Sequence, residues 1–276
     1  MNKDKLEEFQ KFAEKIAIQA GNILLTFKNN YIVKVTKDSL LDIATDADLA
    51  SEKFIISEIK KNYPDHSIFT EEHQEQHRIN SDFEWIIDPL DGTKEFIRNI
   101  PLYGINISLE YKKKLILGVV YQPELKRLYS SSIFSNSRLN NMALHVSREE
   151  NLIKSIIHLR LPNYRMNKKY FDRYMRIFPK IISSIYRIRS DNWDVESLCY
   201  VASGSLEGFV LSSTVDWSPP KWWDLSAGVI MVLQAGGTVT NFNGKLIINR
   251  DLTKGLIASN GKIHKKLLDL VQGFHS

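Results

Sequence analysis

The residues of this chain that could do chemistry are mainly carboxylates, and they lie in four short acidic segments. Each segment sits beside a sharp structural signal, such as the end of an apolar run or the start of a helical pattern. The segments are Ala44-Thr45-Asp46, Thr70-Glu71-Glu72, WIIDPLDGTKEF with Asp88 and Asp91, and KWWDLSAG with Asp224. Grouped carboxylates can bind a metal ion or handle protons, so these segments are the first candidates for a site.

The segment around Asp88 and Asp91 carries the most specific chemistry. Asp88 ends the apolar run Trp85-Ile86-Ile87, and we expect Pro89 to stop the strand and fix a turn. Asp91, three residues on, can then swing back beside Asp88. Two carboxylates so close repel each other unless a cation neutralises them. Oxygen ligands without neighbouring His or Cys favour a hard ion, so the segment predicts a Mg²⁺ or Mn²⁺ site.

Gly92 and Thr93 follow directly and open a helical pattern. Amide groups at a helix N-terminus point at anions, so a phosphate can sit there, bridged to the metal. A metal, a phosphate and an adjacent hydroxyl are what hydrolysis of a phosphate ester requires. Each piece alone has an ordinary explanation: a turn for Asp-Pro-x-Asp-Gly, surface charge for Glu71, and a helix cap for Asp224. The chemical interpretation therefore depends on their occurring together and in this order.

Together these motifs resemble the inositol monophosphatase family, from Thr-Glu-Glu through WIIDPLDGTKEF to KWWDLSAGVIMVLQAGG. The resemblance implies a layered α+β fold, an αβαβα sandwich of the inositol monophosphatase and fructose-1,6-bisphosphatase type. It implies two or three Mg²⁺ ions, which Mn²⁺ can replace, with these ligands: Glu71, Asp88, the Leu90 carbonyl, Asp91 and Asp224. It also implies that Asp46 and Thr93, together with Glu71, orient and deprotonate the attacking water. A homodimer and inhibition by Li⁺ are further properties that the resemblance implies.

The substrate stays open between two main candidates. An inositol monophosphate is slightly favoured, by the segment after Arg189 and by KWWDLSAG. Lys-Glu-Phe after Asp-Gly-Thr is instead similar to the 3'(2'),5'-bisphosphate nucleotidases, which act on 3'-phosphoadenosine 5'-phosphate; a sugar phosphate or histidinol phosphate is a weaker third. Where the family has Gly-Ser or Gly-Thr, this chain has Asn192-Trp193, and the tryptophan would reshape the pocket or stack on a ring. The residues expected to contact the substrate are Gly92, Thr93, Asn192, Trp193 and Asp224.

Hydrophobic periodicity predicts a mixed α and β chain without a simple βαβ repeat. Helices are predicted from near Leu6 to Phe27, from about Asp46 to Asn62, over about 190–203 and 225–234, and at the C-terminus. Strands are predicted near 85–87, 104–110, 115–121, 128–131, 207–211, 238–241 and 256–259. A soft boundary divides the chain into residues 1–146, with most metal ligands, and residues 147–276, with Asp224 and the substrate-side segment.

The bulk composition is that of an ordinary globular enzyme. The 276 residues are 43% hydrophobic and 25% charged, which excludes disordered, collagen-like and coiled-coil classes. Charges interrupt the N-terminal segment, and no apolar run approaches eighteen residues, so we expect neither a signal peptide nor a membrane span. Cys199 is the only cysteine, which predicts a reducing cytoplasm, and its apolar surroundings predict a core position.

A basic stretch leaves a different class of function open. Between Lys154 and Arg189 there are ten Lys or Arg residues against one acid, Asp172. Such a stretch can face phosphate groups or nucleic acid, so the alternative is a binding partner of RNA or of a transcription complex. The intact carboxylates argue against pure binding. His73 and His77 lie four apart but lack the adjacent glutamate of a zinc helix, so no zinc site is predicted.

Overall fold

The structure, a computed structural model, describes residues 2–36, 43–72, 79–161, 167–190, 193–212, 221–247, 250–272 and 274, and only the backbone of 34–36 and 43. The chain divides into two compact units, Met1–Ala143 and Leu144–Ser276. Each unit has its own main sheet and its own hydrophobic core. Among the helices of these described residues, none is both long and apolar enough to cross a membrane.

The first unit is a seven-stranded sheet with two long helices. Its elements are α1 (Lys3–Phe27), β1 (Val33–Thr36), β2 (Ile43–Thr45), α2 (Asp46–Asn62), β3 (Ser67–Thr70), β4 (Phe83–Asp91), α3 (Thr93–Ile97), β5 (Gly104–Tyr111), β6 (Lys114–Gln122), β7 (Arg127–Ser132), β8 (Ser135–Leu139) and β9 (Met142–Ala143). Strands β3 to β9 follow each other in chain order, with β3 and β4 parallel and the other pairs antiparallel. β1 and β2 form a separate antiparallel pair.

Helices α1 and α2 form because each has a local start signal and an apolar face. Asn2 caps α1 by accepting from the Lys5 backbone N–H at 3.0 Å. Buried residues then recur every three or four positions along α1, the spacing of a helix that packs on a core. α1 contacts α2 and strands β5, β6 and β7, and α2 contacts β4. α2 ends at Asn62, and Tyr63 is its C-cap, because a residue before a proline such as Pro64 avoids the helical region.

The second unit is a five-stranded sheet between two pairs of helices. Its elements are a 3₁₀ turn (Leu152–Lys154), β10 (Ile156–Leu159), α4 (Lys168–Ser184), β11 (Arg187–Arg189), α5 (Asp194–Ala202), β12 (Gly208–Leu211), α6 (Trp222–Gln234), β13 (Thr238–Thr240), β14 (Leu256–Ser259) and α7 (His264–Val271). The strand order is β11-β10-β12-β14-β13. β10 is parallel to both its neighbours, while β14 is antiparallel to β12 and β13.

Successive side chains of a strand point to opposite faces of the sheet, and their contacts show that the helices of the second unit pack on both faces. Ile157 and Val210 belong to the core shared with α4 and α7. His158 points the other way, where its Nδ1 lies 2.8 Å from Ser197 Oγ of α5. α6 is buried on almost every side, as an apolar helix must be, and Gly228 is where α5 approaches it closely.

The predicted α+β class is confirmed, with one helix added. α4 was not predicted, because in the sequence its segment stands out only as a basic stretch. In the structure Tyr170, Tyr174, Ile177 and Ile181 form its buried face at helical spacing. Other apolar residues of α4 stay exposed among the charged residues of the same helix, and Pro179 interrupts the pattern. The helical period is therefore blurred in the sequence.

Candidate active site

The acidic end of β4 owes its shape to a β-bulge. Asp88 pairs with Asn106 of β5 and Asp91 pairs with Gly104, so β4 uses three residues where β5 uses two. Side chains three apart on a regular strand point to opposite faces, and the extra residue returns both aspartates to one face. Pro89 lies in this irregular stretch, where its missing N–H is tolerated. The prediction that Pro89 ends the strand is therefore wrong, because β4 continues through it to Asp91.

β3 brings Glu71 beside Asp88. Thr70 pairs with Ile87 in parallel register, and the Glu71 backbone N–H donates to the Ile87 carbonyl at 3.3 Å. One carboxylate oxygen of Glu71 and one of Asp88 lie within 4.8 Å of each other. Asp88 is only 1% exposed. Two carboxylates at this range favour a cation between them, since water cannot fully screen their repulsion.

The donors of the first unit fit a hard divalent cation. An ion with bonds of about 2.1 Å to two oxygens holds them at most about 4.2 Å apart, so Glu71 and Asp88, within 4.8 Å of each other, need at most a small adjustment. Asp91 faces the same side, with Oδ2 accepting from Asn106 Nδ2 at 2.9 Å. The Leu90 carbonyl belongs to the same bulge. Only oxygen atoms are offered, which is the donor set of Mg²⁺ or Mn²⁺ rather than of zinc or copper.

The hydroxyl of Thr93 is held by Asp48. Its Oγ1 lies 2.9 Å from Asp48 Oδ1 and 3.0 Å from the Leu90 carbonyl oxygen. A hydroxyl has one hydrogen, which it can donate to either acceptor. The pair predicted from the sequence was Asp46 with Thr93, and this pairing is wrong. Asp46 begins α2 and accepts instead from the Ile32 backbone N–H at 2.7 Å, because two residues along a helix turn the side chain to a different face.

Asp48 is placed by the start of α2. Its Oδ2 accepts from the Thr45 backbone N–H at 2.7 Å and from the Thr45 hydroxyl at 2.6 Å, which forms a capping box. Burial raises the pKa of Asp48 to about 6; its hydrogen bonds to Thr45 and Thr93 oppose that rise, and the negative charge of Glu71 adds to it. A carboxyl group with a pKa near 6 is suited to accept a proton near neutral pH.

Gly92 makes the turn between the bulge and α3. Its φ of 89° lies in the left-handed region, and a Cβ atom there would come within 2.8 Å of the Leu102 carbonyl oxygen. Only glycine fits both conditions. The Phe96 N–H bonds back to the Gly92 carbonyl at 2.9 Å, and no side chain caps the start of α3. A contact between the first amide groups of this five-residue helix and a phosphate stays a prediction.

The remaining predicted site residues belong to the second unit. Asp224 lies in the first turn of α6, half-buried, and its Oδ2 accepts from the Lys221 backbone N–H at 3.2 Å. Trp193 precedes the first residue of α5 and is 1% exposed. Its neighbour Asp194 is also buried and forms an ion pair with Arg160. Asn192 lies outside the described residues, as do His73 and His77.

Sequence reasoning missed three residues that support the acidic site. Asp48 could have been found, because Thr45 followed three residues later by an acid is a capping-box signature. Glu52, one helical turn after Asp48, accepts from the buried Thr70 hydroxyl at 2.7 Å and so ties α2 to β3. Asn106 has no local signal, since its position opposite Asp88 depends on the register of β4 and β5.

Solved structures share this fold over nearly the whole chain. SuhB of Bartonella henselae is 27% identical, with a TM-score of 0.84 over 96% of this chain and 99% of that chain. The IMPase of Thermotoga maritima is 26% identical, with a TM-score of 0.82 over 97% of this chain and 98% of that chain. These similarities confirm the predicted α+β fold of the inositol monophosphatase type.

Sequence relatives cover the chain equally well. The Nus factor SuhB of Escherichia coli K12 is 32% identical over 257 residues, which is 93% of this chain and 92% of that protein. The Nus factor SuhB of Pasteurella multocida is 31% identical over 269 residues, 94% of each. The sequence model of the inositol monophosphatase family matches residues 5–275. The resemblance seen in the motifs is thereby confirmed, and the chain belongs to the inositol monophosphatase family.

Proposed function

We propose that this protein is a Mg²⁺-dependent phosphomonoesterase that acts on a small phosphorylated metabolite. The observation that carries the proposal is the Thr93 hydroxyl, which Asp48 holds at 2.9 Å and which also lies 3.0 Å from the carbonyl of the Asp88–Asp91 bulge. A hydroxyl tied to a carboxylate, at the rim of a group of acidic side chains, is arranged to move a proton where phosphate and metal would meet. Membership of the family supports the same reaction.

The residues that would hold the metal are the ones the family resemblance implies: Glu71, Asp88, the Leu90 carbonyl, Asp91 and Asp224. We propose that they bind two or three Mg²⁺ ions and that Mn²⁺ can replace them. When bound, Mg²⁺ supplies Lewis acidity toward a phosphoryl oxygen. The fit rests on the oxygen-only donors and on the short distance between the Glu71 and Asp88 carboxylates.

Proton transfer falls to Asp48 and Thr93. As Thr93 Oγ1 gives its hydrogen to Asp48 Oδ1, its lone pairs can accept a proton from a water molecule that attacks the phosphorus atom. The pKa of Asp48, which burial raises to about 6, brings its proton affinity close to neutral pH and so favours this role. Glu71 would orient the same water from the other side, and Gly92 and the start of α3 would contact the phosphate.

For the substrate we propose an inositol monophosphate, with a 3'(2'),5'-bisphosphate nucleotide as the alternative. Solved relatives above 25% identity include an inositol monophosphatase from Anabaena, 26% identical over 97% of this chain. The burial of Trp193 weighs against its stacking on a nucleotide base. Asn192 and Asp224 remain the proposed contacts on the substrate side, and we propose that the buried Trp193 shapes the pocket. We place the reaction in the cytoplasm, as the single cysteine suggests.

A phosphate-release assay tests the proposal. The purified protein is incubated with a panel that contains inositol monophosphates, 3'-phosphoadenosine 5'-phosphate, sugar phosphates and histidinol phosphate, with Mg²⁺ or with a chelator. Release is expected with Mg²⁺ and not with the chelator, and Li⁺ is expected to inhibit it. Full activity after exhaustive chelation, or no release from any phosphomonoester with Mg²⁺ or Mn²⁺, would contradict the proposal.

A second candidate function is binding to RNA or to a transcription complex. The relatives named Nus factor SuhB carry the name of a factor rather than of an enzyme. The described residues 167–190 contain seven Lys or Arg residues and one acidic residue, Asp172. Most of these basic residues are exposed on α4 and β11. Binding of the Asp88→Asn variant to RNA, lost when Arg176 and Lys180 are changed to Glu, would support this role independently of phosphatase activity.

We also propose a homodimer, as the family resemblance implies. Three apolar side chains on the outer face of α4, Phe171, Met175 and Ile182, are between 43% and 47% exposed. Such a row of exposed apolar side chains on one helix is a candidate contact for a second copy. Light scattering of the wild type and of Met175→Glu tests the proposal: a dimer that this substitution dissociates is expected, and a monomeric wild type would refute it.

A further inference from the structure

We propose that Asn106 is a positioning residue that orients the carboxylate of Asp91 toward a divalent cation. The proposal rests on the proposed function to the extent that it assumes a metal at the acidic end of β4. It adds a residue outside the predicted ligand set, and one that comes from a different strand. Its support is the geometry of the bulge and the chemistry of the amide group.

Asn106 is the one described residue that β-sheet pairing sets opposite Asp88 on β5. Its side chain reaches past the bulge, where Nδ2 donates to Asp91 Oδ2 at 2.9 Å. Asn106 is 1% exposed, whereas Asp91 is half-buried at the strand end. A single buried side chain thus neighbours the first aspartate of the bulge and bonds to the second.

A hydrogen bond of this kind fixes the plane of a carboxylate. An aspartate side chain can turn about two bonds, and a donor held at one oxygen restricts both rotations. The other oxygen then keeps a set direction for a cation, as groups behind the ligands of metal sites generally do.

The amide group suits this position better than the alternatives do. It donates without adding a charge, whereas Lys would compete with a cation and Asp would repel the carboxylate. A serine hydroxyl stands closer to its own backbone than an amide nitrogen, so it would not span the same distance across the bulge.

The backbone of the bulge has a separate support. Ser51 of α2 donates from Oγ to the Pro89 carbonyl at 2.8 Å. Six residue pairs of β4 and β5, from Phe83 with Tyr111 to Asp88 with Asn106, precede the bulge. These contacts do not involve the Asn106 amide. Loss of that amide should therefore release the Asp91 side chain and leave the bulge in place, so positioning and structural roles can be distinguished.

Metal titration of three variants tests the proposal. Asn106→Leu keeps the approximate shape of the side chain and removes its donor, and Asn106→Ser keeps a short polar group. Asn140→Ser is the matched control, because Asn140, in the turn between β8 and β9 of the same unit, accepts from the Leu128 N–H at 2.8 Å and donates to the Lys126 carbonyl at 3.1 Å. Calorimetric titration with Mn²⁺ and with Mg²⁺, without substrate, gives each affinity, and melting in a chelator gives each stability.

Both Asn106 variants are expected to bind the metal about 10- to 100-fold more weakly than the wild type. Their melting temperature in chelator should fall only by a few degrees, as for one lost hydrogen bond. Asn140→Ser should also melt lower but bind the metal within about twofold of the wild type, because distant sites do not couple.

Three results would overturn the proposal: metal affinity of both Asn106 variants within twofold of the wild type, equal loss in Asn140→Ser, or failure of both Asn106 variants to fold. A wild type that binds neither metal would overturn it as well. Phosphate release is measured separately on the wild type. A protein that binds metal through this arrangement but hydrolyses no phosphomonoester would refute the proposed function and leave the role of Asn106 standing.

Discussion

Replacing Asp48 with asparagine tests whether Asp48, which bonds to Thr93 in the structure, is the proton acceptor, rather than Asp46, which was predicted from the sequence. Asp48 receives hydrogen bonds from Thr45 and from Thr93, whereas Asp46 accepts from the Ile32 N–H. Asparagine keeps the shape and one acceptor oxygen at either position but cannot take up a proton at neutral pH. Asp48→Asn is therefore the test variant, and Asp46→Asn is its matched control two residues away.

The effect on stability follows from the pKa. Burial raises the pKa of Asp48 to about 6 from an ordinary value of 3.8. A carboxyl group whose pKa is higher in the folded than in the unfolded protein contributes less to the free energy of unfolding as the pH rises from 3.8 through 6. That contribution is still absent at pH 7. About two pKa units correspond to about 3 kcal/mol. Asparagine removes this penalty, so metal-free Asp48→Asn should melt at the same or a higher temperature at pH 7.

The effect on activity has the opposite sign. Loss of a general base usually slows a reaction by about 10²- to 10⁴-fold, which is about 3–5 kcal/mol of barrier. Asp48→Asn should therefore lose at least two orders of magnitude in kcat while its fold survives. Asp46→Asn retains the acceptor for Ile32 and leaves the bond between Asp48 and Thr93 in place, so it should keep kcat within about threefold of the wild type.

The assay is phosphate release at saturating Mg²⁺ and substrate, with thermal melting of the same samples in chelator. A lower kcat for Asp46→Asn than for Asp48→Asn would refute the assignment and restore the pairing expected from the sequence. Retention of more than about a tenth of wild-type kcat by Asp48→Asn would also refute it, because that is less than 1.4 kcal/mol of barrier.

Three further predictions concern the metal site, the helix packing and acid stability. Asp88→Asn, saturated with Mg²⁺, should keep less than about a tenth of wild-type turnover, and more would exclude Asp88 as a ligand. Gly228→Ala should cost about 1–3 kcal/mol in urea unfolding, because its Cβ would lie 2.6 Å from Leu198 Cβ, and an unchanged midpoint would contradict this packing. Burial lowers the pKa of His264 to about 4. This imidazole therefore does not change the free energy of unfolding above pH 6.5, and it lowers that free energy by about 3 kcal/mol as the pH drops from 6.5 to 4. His264→Gln should make that fall shallower, and an equal slope would argue against a buried neutral imidazole.

Local signals determined much of the secondary structure from the sequence alone. The helix predicted from Asp46 to Asn62 has those bounds in the structure, because its start and its proline stop are encoded within a few residues. The acidic motifs and their order also identified the family, since WIIDPLDGTKEF and KWWDLSAG are long and specific. α4 was missed because apolar side chains occur on both its buried and its exposed faces, which blurs the helical period.

Tertiary structure alone decided which side chains meet. Asp46 and Asp48 are both acids at the start of one helix. Only the rotation of α2 relative to the bulge determines that Thr93 bonds to Asp48. Asn106 is 15 residues from Asp91 in the chain, and the bulge in the β4–β5 register brings the two together. Hydrophobic periods and caps are properties of neighbouring residues, whereas a hydrogen bond between separate elements depends on strand register and helix rotation, which the packing of the whole unit sets.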